Sequence, residues 1–222
     1  MKKILLSLMI ASAGLAVKAQ ETGIKFGVKA GVTFPTLSYS SDLEEGMKNK
    51  ANTSFYVGGT VDIPVGGMFT IQPGLTFSGK GDKQEASVSE GGDSFSAKSS
   101  TSLMYIEIPV NAVVSFPVGE GKVFVGAGPY YGMAISGKSK MESKMTVDGV
   151  TVSDEESNDA DFGKDGDTKR SDFGVNFLGG YQLSNGFNIH AGYGLGLSNI
   201  AKNSGDLKVK NNVLSVGVGF SF

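Results

Sequence analysis

The sequence predicts an all-β protein, an eight-stranded antiparallel up-and-down transmembrane β-barrel with four long outer loops and three short turns. Three observations support this class. Apolar residues alternate with small or polar residues along eight segments, and the connections between the segments alternate between short and long. The third is that the face opposite the apolar residues carries few charges.

The first 19 residues have the features of a secretory signal peptide. Lys2 and Lys3 precede an apolar stretch, and small residues occupy the usual cleavage positions up to Ala19. We therefore expect cleavage after Ala19 and one mature domain over residues 20–222. Loss of three of the 20 basic residues leaves 17 against 22 acidic ones, which gives a charge of about −5 and argues against a nucleic-acid partner.

The composition excludes several other kinds of protein. The chain has no cysteine, so neither a disulfide framework nor a lipid on an N-terminal cysteine is expected. After position 19 no apolar run is long enough for a membrane-spanning helix. Any association with a membrane must therefore come from the folded strands.

The eight segments share a period of two residues, which is the period of an extended strand. In the first segment, Phe26, Val28 and Val32 fall on one face, while Lys25 and Lys29 fall on the other. The segments cover residues 23–34, 54–63, 69–78, 106–115, 123–136, 172–182, 187–197 and 214–222. Short turns are predicted at Pro64–Gly67, Pro117–Gly121 and Ser184–Gly186, where Pro and Asn-Gly suit chain reversals.

Long polar connections are predicted at the other end of the strands, at about 35–52, 80–100, 137–170 and 199–210. Residues 41–50 are compatible with a helical turn. Tight turns at one end and long loops at the other, with both termini on the tight-turn side, are typical of an outer-membrane barrel. We therefore expect both termini in the periplasm.

The composition of the second face favours lipid over a soluble core. A soluble barrel is charged outside and apolar inside, whereas here the second face is mostly Gly, Ser, Thr and Asn. Such residues suit a narrow polar interior, so the apolar face is expected to contact lipid. The aromatic residues near strand ends then form interfacial girdles: Phe34, Phe55, Phe69, Phe116, Phe187 and Tyr193.

The polar residues predicted to face the lumen include charges of both signs. We expect them to form a neutralising network inside the cylinder, because an unpaired buried charge is costly. The predicted lumen network consists of Lys25, Lys29, Asp62, Glu107, Asn111, Asp172 and His190. A plugged lumen is favoured over a diffusion pore, since side chains can fill an eight-stranded barrel.

Five short motifs in strand order resemble the porin-family, PorT-like outer-membrane β-barrel domain of Bacteroidetes. They are FGVKAGV (26–32), YIEIPV (105–110), GAGPYYG (126–132), DFG (172–174) and GLGLSNI (194–200). The resemblance covers nearly all of the mature chain and implies the fold and the outer-membrane location more firmly than any activity. It also implies that Phe222, with Phe220 before it, is the C-terminal signal read by the barrel-insertion machinery.

Two groups of residues could carry chemistry, and the sequence favours neither. His190 is the only histidine, and a Ser-His-Asp site needs a serine and a carboxylate beside it. The acidic loop residues Asp161, Asp165, Asp167 and Asp172 are spaced somewhat like a calcium loop. However, Gly163 stands at a ligand position and Asp172 replaces the bidentate glutamate. We expect no cofactor, no metal and no enzymatic activity.

The sequence is compatible with three functional classes. The first is a structural and interaction protein whose surface loops contact an extracellular ligand or partner. The second is a transport or secretion-associated component, either a small pore or a PorT-like protein-translocation factor. The third, an outer-membrane enzyme, is ranked last. Outer-membrane lipid and the barrel-insertion machinery are the expected partners, and a monomer is favoured.

Overall fold

The computed structural model describes residues 23–40, 48–160, 162, 168–202 and 208–222. The predicted signal peptide therefore lies outside the described residues. Ten strands are present: β1 Lys25–Tyr39, β2 Lys48–Lys50, β3 Ser54–Gly66, β4 Phe69–Glu90, β5 Asp93–Val118, β6 Gly121–Val147, β7 Val150–Asp159, β8 Ser171–Leu183, β9 Phe187–Gly196 and β10 Val209–Ser221. None of the described residues forms a helix long and apolar enough to cross a bilayer.

Eight of these strands form a closed antiparallel ring in the order β1, β3, β4, β5, β6, β8, β9, β10. The ring closes where β10 pairs with β1, from Gly27 opposite Ser221 to Tyr39 opposite Val209. Closure leaves the ring without a free edge, so its backbone donors and acceptors are paired between neighbours. The predicted eight-stranded antiparallel barrel is confirmed.

Tight turns join the strands at one end of the ring, here called the short-turn end. Gly67, Gly119 and Gly186 take positive φ angles of 55°, 60° and 92° in these turns, a conformation that favours glycine. The three turns fall where the sequence predicts them. The opposite end, where the long connections lie, is called the long-hairpin end.

For two of the four predicted long loops the prediction is wrong, because these stretches form paired strands. The stretch 80–100 continues β4 and β5 as a regular hairpin around Gly91 and Gly92, and residues 137–159 continue β6 into β7 around Asp148 and Gly149. The strands keep pairing after the apolar alternation fades, because outside a bilayer their outward face no longer needs to be apolar. The predicted helical turn at 41–50 falls partly outside the described residues, and its last three residues form β2.

The extended hairpins form a projecting sheet, defined by residues 82–90, 93–101, 138–147 and 150–159. Its strand order is β4-β5-β6-β7, and β2 pairs with the other side of β4 between Lys83 and Glu85. This sheet is continuous with one wall of the ring.

Burial in the ring is the reverse of that in a soluble protein. Large apolar side chains on the outer face are exposed, as for Val28, Phe77 and Val216 at 52%, 41% and 52%. Polar side chains on the inner face are buried, as for Asn111 at 2% and Asp172 at 0%. All six predicted girdle aromatics are exposed on the outer face. An apolar exterior with a polar interior matches a barrel surrounded by lipid.

Candidate functional site in the lumen and on the projecting sheet

The inner face of β4 brings a lysine into the lumen. Along this strand Thr76, Ser78, Lys80 and Asp82 occupy alternate positions and point to the same side, and each is at most 5% exposed. Lys80 itself is 2% exposed. The sequence prediction assigned Lys80 to the start of a loop and therefore missed it. The alternation of polar residues from Thr70 onwards was the signal that could have found it.

Lys80 is the centre of an ion cluster near the long-hairpin end. Its Nζ lies 2.6 Å from Glu107 Oε1 and 2.8 Å from Asp172 Oδ2. Asp172 also accepts hydrogen bonds from Ser198 Oγ at 2.6 Å, Asn211 Nδ2 at 3.0 Å and the Tyr130 hydroxyl at 3.2 Å. The cluster therefore connects β4, β5, β6, β8 and β10 across the lumen.

Aromatic rings enclose the ammonium group. Nζ of Lys80 lies 4.2 Å from the Tyr130 ring centroid and 5.0 Å from that of Tyr105, which are cation–π distances. Tyr130 takes this position because Gly174 faces it: a Cβ at Gly174 would lie 2.7 Å from the Tyr130 ring. The glycine in the DFG motif thus makes room for the tyrosine that covers Lys80.

An apolar layer covers the ion cluster on its long-hairpin side. It consists of Leu37, Leu103, Tyr105, Ala134, Phe162, Ile200 and Val209, each at most 9% exposed. Phe162 and Ile200 come from the connections after β7 and β9, so the connections fill the mouth of the ring. The Arg170 guanidinium lies 5.2 Å from the Phe162 ring.

Between the ion cluster and the short turns the lumen holds a cavity of about 150 Å³, lined by all eight strands of the ring. Tyr56 crosses it, and its hydroxyl lies 2.6 Å from His190 Nε2, while His190 Nδ1 lies 2.8 Å from Asn188 Oδ1. Both ring nitrogens of the histidine thus contact residues other than a serine or a carboxylate. The geometry is that of a hydrogen-bonded lumen residue and not of a Ser-His-Asp site.

The other predicted lumen residues are spread along the ring. Lys25 is exposed at the short-turn end, opposite Asp62 across β1 and β3, and Asp62 accepts a hydrogen bond from Gln72 Nε2 at 2.7 Å. Nζ of Lys29 lies 6.0 Å from the Tyr56 ring centroid. Asn111 is buried as well, and it lies nearer the short-turn end of β5 than Glu107 does. Only Glu107 and Asp172 of the predicted set meet in one ion cluster.

Asp172, the last residue of the candidate calcium loop, belongs to the Lys80 ion cluster instead. Asp161, Asp165 and Asp167 lie outside the described residues, whereas Asp172 points into the lumen and both its carboxylate oxygens accept hydrogen bonds there. Among the described residues no group of three or more His, Asp or Glu side chains is arranged to hold a metal ion.

At the C-terminus, Phe220 and Phe222 lie on the outer face of the ring. Their ring centroids are 5.3 Å apart in an edge-to-face arrangement, and the Phe222 amide donates to the Phe26 carbonyl at 2.8 Å. The two rings form an exposed aromatic pair at the short-turn end.

The projecting sheet has two different faces. One continues the inner face of the ring and carries a row of directly opposed apolar residues, Val88, Phe95, Met145 and Val152, all between 46% and 67% exposed. Val147 and Val150 form the next apolar pair towards the tip. The opposite face is polar: Lys83, Glu85, Lys98, Lys140, Glu142, Lys144 and Glu155, with serines between them.

The exposed aliphatic ring exterior, the polar lumen and the closed strand order define an integral membrane β-barrel. The chain belongs to the family described as outer membrane protein beta-barrel domain, whose pattern matches residues 18–202. It is therefore a bacterial outer-membrane β-barrel protein. No curated protein is similar to this chain in sequence.

Solved structures with a similar fold are distant in sequence. Ail, the attachment invasion locus protein of Yersinia pestis, is 14% identical over 89% of this chain and 98% of that chain, with a TM-score of 0.39. Neisserial surface protein A is 14% identical over 89% and 97%, with a TM-score of 0.41. OprG from Pseudomonas aeruginosa is 12% identical over 89% and 95%, with a TM-score of 0.43.

Proposed function

We propose that this chain is a surface-exposed, non-enzymatic binding protein, in which the barrel is the anchor and the projecting sheet contacts an extracellular partner. The observation that carries this proposal is the apolar row Val88, Phe95, Met145 and Val152 on a sheet beyond the lipid-facing part of the ring. Contiguous apolar patches on a solvent-exposed surface are typical of interaction sites.

The lumen supports an anchoring role for the ring. The Lys80 ion cluster crosses the lumen, and the apolar layer with Phe162 and Ile200 lies beyond it. These two successive layers at the long-hairpin end support the proposal of a plugged lumen. A plugged lumen leaves the projecting sheet as the part of the protein that is available for function.

The orientation in the membrane is part of the proposal. The signal peptide is cleaved after Ala19, both termini lie on the periplasmic side, and the Phe220–Phe222 pair is read by the insertion machinery. The long-hairpin end then faces outward. A strand with alternating apolar residues that ends on an exposed aromatic residue supports this assignment.

Site-specific photocrosslinking in living cells tests the proposal. Benzoylphenylalanine placed at Val152 is expected to give a discrete crosslinked partner, and the same group at Val218, on the lipid-facing surface, is expected to give none. Shortening both hairpins in register, by removing 84–99 and 140–157, is expected to leave the barrel folded in detergent. Partner capture at a site retained in the shortened chain would contradict the proposal.

A transport or secretion-associated role is the second candidate, and the polar lumen cavity favours it. A PorT-like translocation factor of a Bacteroidetes secretion system belongs to this class. Planar-bilayer recording separates the two candidates. We expect no conductance from the wild-type chain, and a steady conductance would favour the transport role. Co-purification with a secretion complex that survives removal of the projecting sheet would favour the translocation factor.

A further inference from the structure

β7 presents an open strand edge on the projecting sheet. Among the described residues it pairs with β6 alone, in an unbroken register from Lys138 opposite Asp159 to Val147 opposite Val150. All ten residues of β7 are exposed. Exposed edges in natural sheets are commonly protected by charged side chains, above all lysine, or by proline or a bulge. β7 has no lysine, proline or bulge, and its only charges are carboxylates, which repel an acidic strand and attract a basic one. With respect to the described part of the chain, its outer edge is therefore open to another strand of basic character.

The charges on β7 determine which kind of strand can pair with its open edge. Asp154, Glu155, Glu156 and Asp159 place four carboxylates on ten residues. Lys140 lies 3.1 Å from Glu155, and the other three carboxylates form no ion pair with a described residue. The side chains alternate between faces, so Val150, Val152, Asp154 and Glu156 lie on the apolar face of the sheet.

We infer that the β7 edge binds an extended, lysine- or arginine-rich polypeptide segment by strand addition, which rests on the proposed binding function and specifies its partner. Directly opposed residues in paired strands share a face. The segment therefore places apolar side chains opposite Val150 and Val152 and cationic side chains opposite Asp154 and Glu156. Backbone hydrogen bonds supply the affinity, and the two kinds of side chain supply the specificity.

A second copy of this chain is disfavoured as the occupant. Antiparallel pairing of β7 with a second β7, centred on Glu155, places Asp154 opposite Glu156 of the other copy and Glu155 opposite Glu155. Like charges directly opposite each other destabilise a strand pair. Pairing of two copies through β7 in this register would therefore have to overcome three pairs of directly opposed carboxylates.

A defined peptide tests the inference on the full chain in lipid nanodiscs. The probe is a fluorescent, end-capped peptide with valine, valine, lysine and lysine at alternate positions and serine between them. We expect saturable binding that weakens as salt is raised, because exposed charges are screened. A peptide with glutamate for lysine, and one with alternate amides N-methylated, are each expected to bind at least about tenfold more weakly.

Matched charge reversals locate the binding site. Glu156→Lys is expected to weaken binding of the lysine peptide by about tenfold, whereas Glu120→Lys, in a tight turn at the other end of the ring, is expected to leave it unchanged. Retained heat-modifiable mobility shows that both variants fold. Equal binding of the lysine and glutamate peptides, equal effects of the two variants, or a chain dimer crosslinked through β7 would each overturn the inference. If the peptide fails while Val152 still captures a partner, the binding function stands and the strand-addition inference fails.

Discussion

The ion cluster around Lys80 decides which inner-face residues are essential for stability. One ammonium group lies within 2.8 Å of two carboxylates, and all three side chains are nearly or fully buried. Removal of one partner from such a cluster leaves charge without compensation in a medium that solvates it poorly. The three residues are therefore expected to respond as a unit.

Lys80→Met is expected to destabilise the barrel by about 3–5 kcal/mol, because Glu107 and Asp172 lose their common counter-charge. The free energy of unfolding in urea, followed by electrophoretic mobility without heating, measures the effect. Lys138→Met, which removes an exposed lysine from the projecting sheet, is the matched control and is expected to change stability by less than about 0.5 kcal/mol.

The triple variant Lys80→Met, Glu107→Gln and Asp172→Asn is expected to recover much of that loss, since no charge remains buried. Equal effects of Lys80→Met and Lys138→Met would show that the ion cluster does not stabilise the ring.

A pH-dependent contact lies outside the membrane-spanning part, where β2 meets β4. Hydrogen bonds from Lys50 and Lys83 lower the pKa of Glu85 to about 2. Because the folded-state pKa is below the ordinary value, the contact is fully present above about pH 4.3 and is lost as the pH falls through 2.

NMR titration of the Glu85 carboxyl group is expected to show this lowered midpoint. Lys50→Met is expected to raise it further than Lys83→Met does, because the hydrogen bond from Lys50 is the larger cause. A midpoint that neither substitution moves would contradict this account of the contact.

At the scale of strands, glycines set how closely β1, β3 and β10 approach one another inside the lumen. Gly31 and Gly217 are direct partners across β1 and β10, and a Cβ at Gly217 would lie 2.1 Å from the Tyr56 hydroxyl. Tyr56 reaches His190 by crossing this bare stretch of backbone. Because neither glycine has a side chain, the Tyr56 ring has the space to take this position.

Gly217→Ala is expected to displace Tyr56, to break its hydrogen bond with His190 and to cost about 1–3 kcal/mol. Gly59→Ala is the control, since the nearest atom to its Cβ would be the Gly27 carbonyl oxygen at an ordinary 3.6 Å. Urea unfolding of both variants, with the NMR shift of the His190 ring as a local probe, measures the difference. An undisturbed His190 shift in Gly217→Ala would contradict the packing argument.

The strands of the ring were predictable from sequence because lipid on one side and a polar lumen on the other impose a period of two. That signal stops at Phe77, where Gly79 and Gly81 take the outward positions, so the prediction ended the strand just before Lys80. β7 was not predicted as a strand for a related reason. A serine- and acid-rich strand such as Val150–Asp159 has the composition of a solvated loop.

The partners inside the lumen were not predictable in the same way. Lys80 and Asp172 are separated by 92 positions in sequence, and their contact depends on the register accumulated across several strand pairs. A single-residue slip moves a side chain from the lumen to the lipid face. The sequence therefore identified Asp172 and Glu107 as inward residues without identifying the lysine that joins them.

For the molecule as a whole, the central structural property is which side of the ring meets lipid. The ring exterior is apolar and the interior polar, so a compact barrel is expected to migrate differently before and after boiling. Single-tryptophan reporters give a more direct test, because the chain contains no tryptophan of its own. Neighbouring positions in one strand face opposite sides, so each pair carries its own control.

The most direct test is fluorescence quenching by brominated acyl chains in phosphatidylcholine bilayers. Val125 and Phe177 lie on the exposed outer face, whereas their neighbours Phe124 and Leu178 line the lumen cavity. Each of the four residues is replaced by Trp in a separate variant. We predict strong quenching at positions 125 and 177 and little at positions 124 and 178. Equal quenching of both members of each pair, or stronger quenching at 124 and 178, would contradict an outward apolar face and with it the membrane barrel.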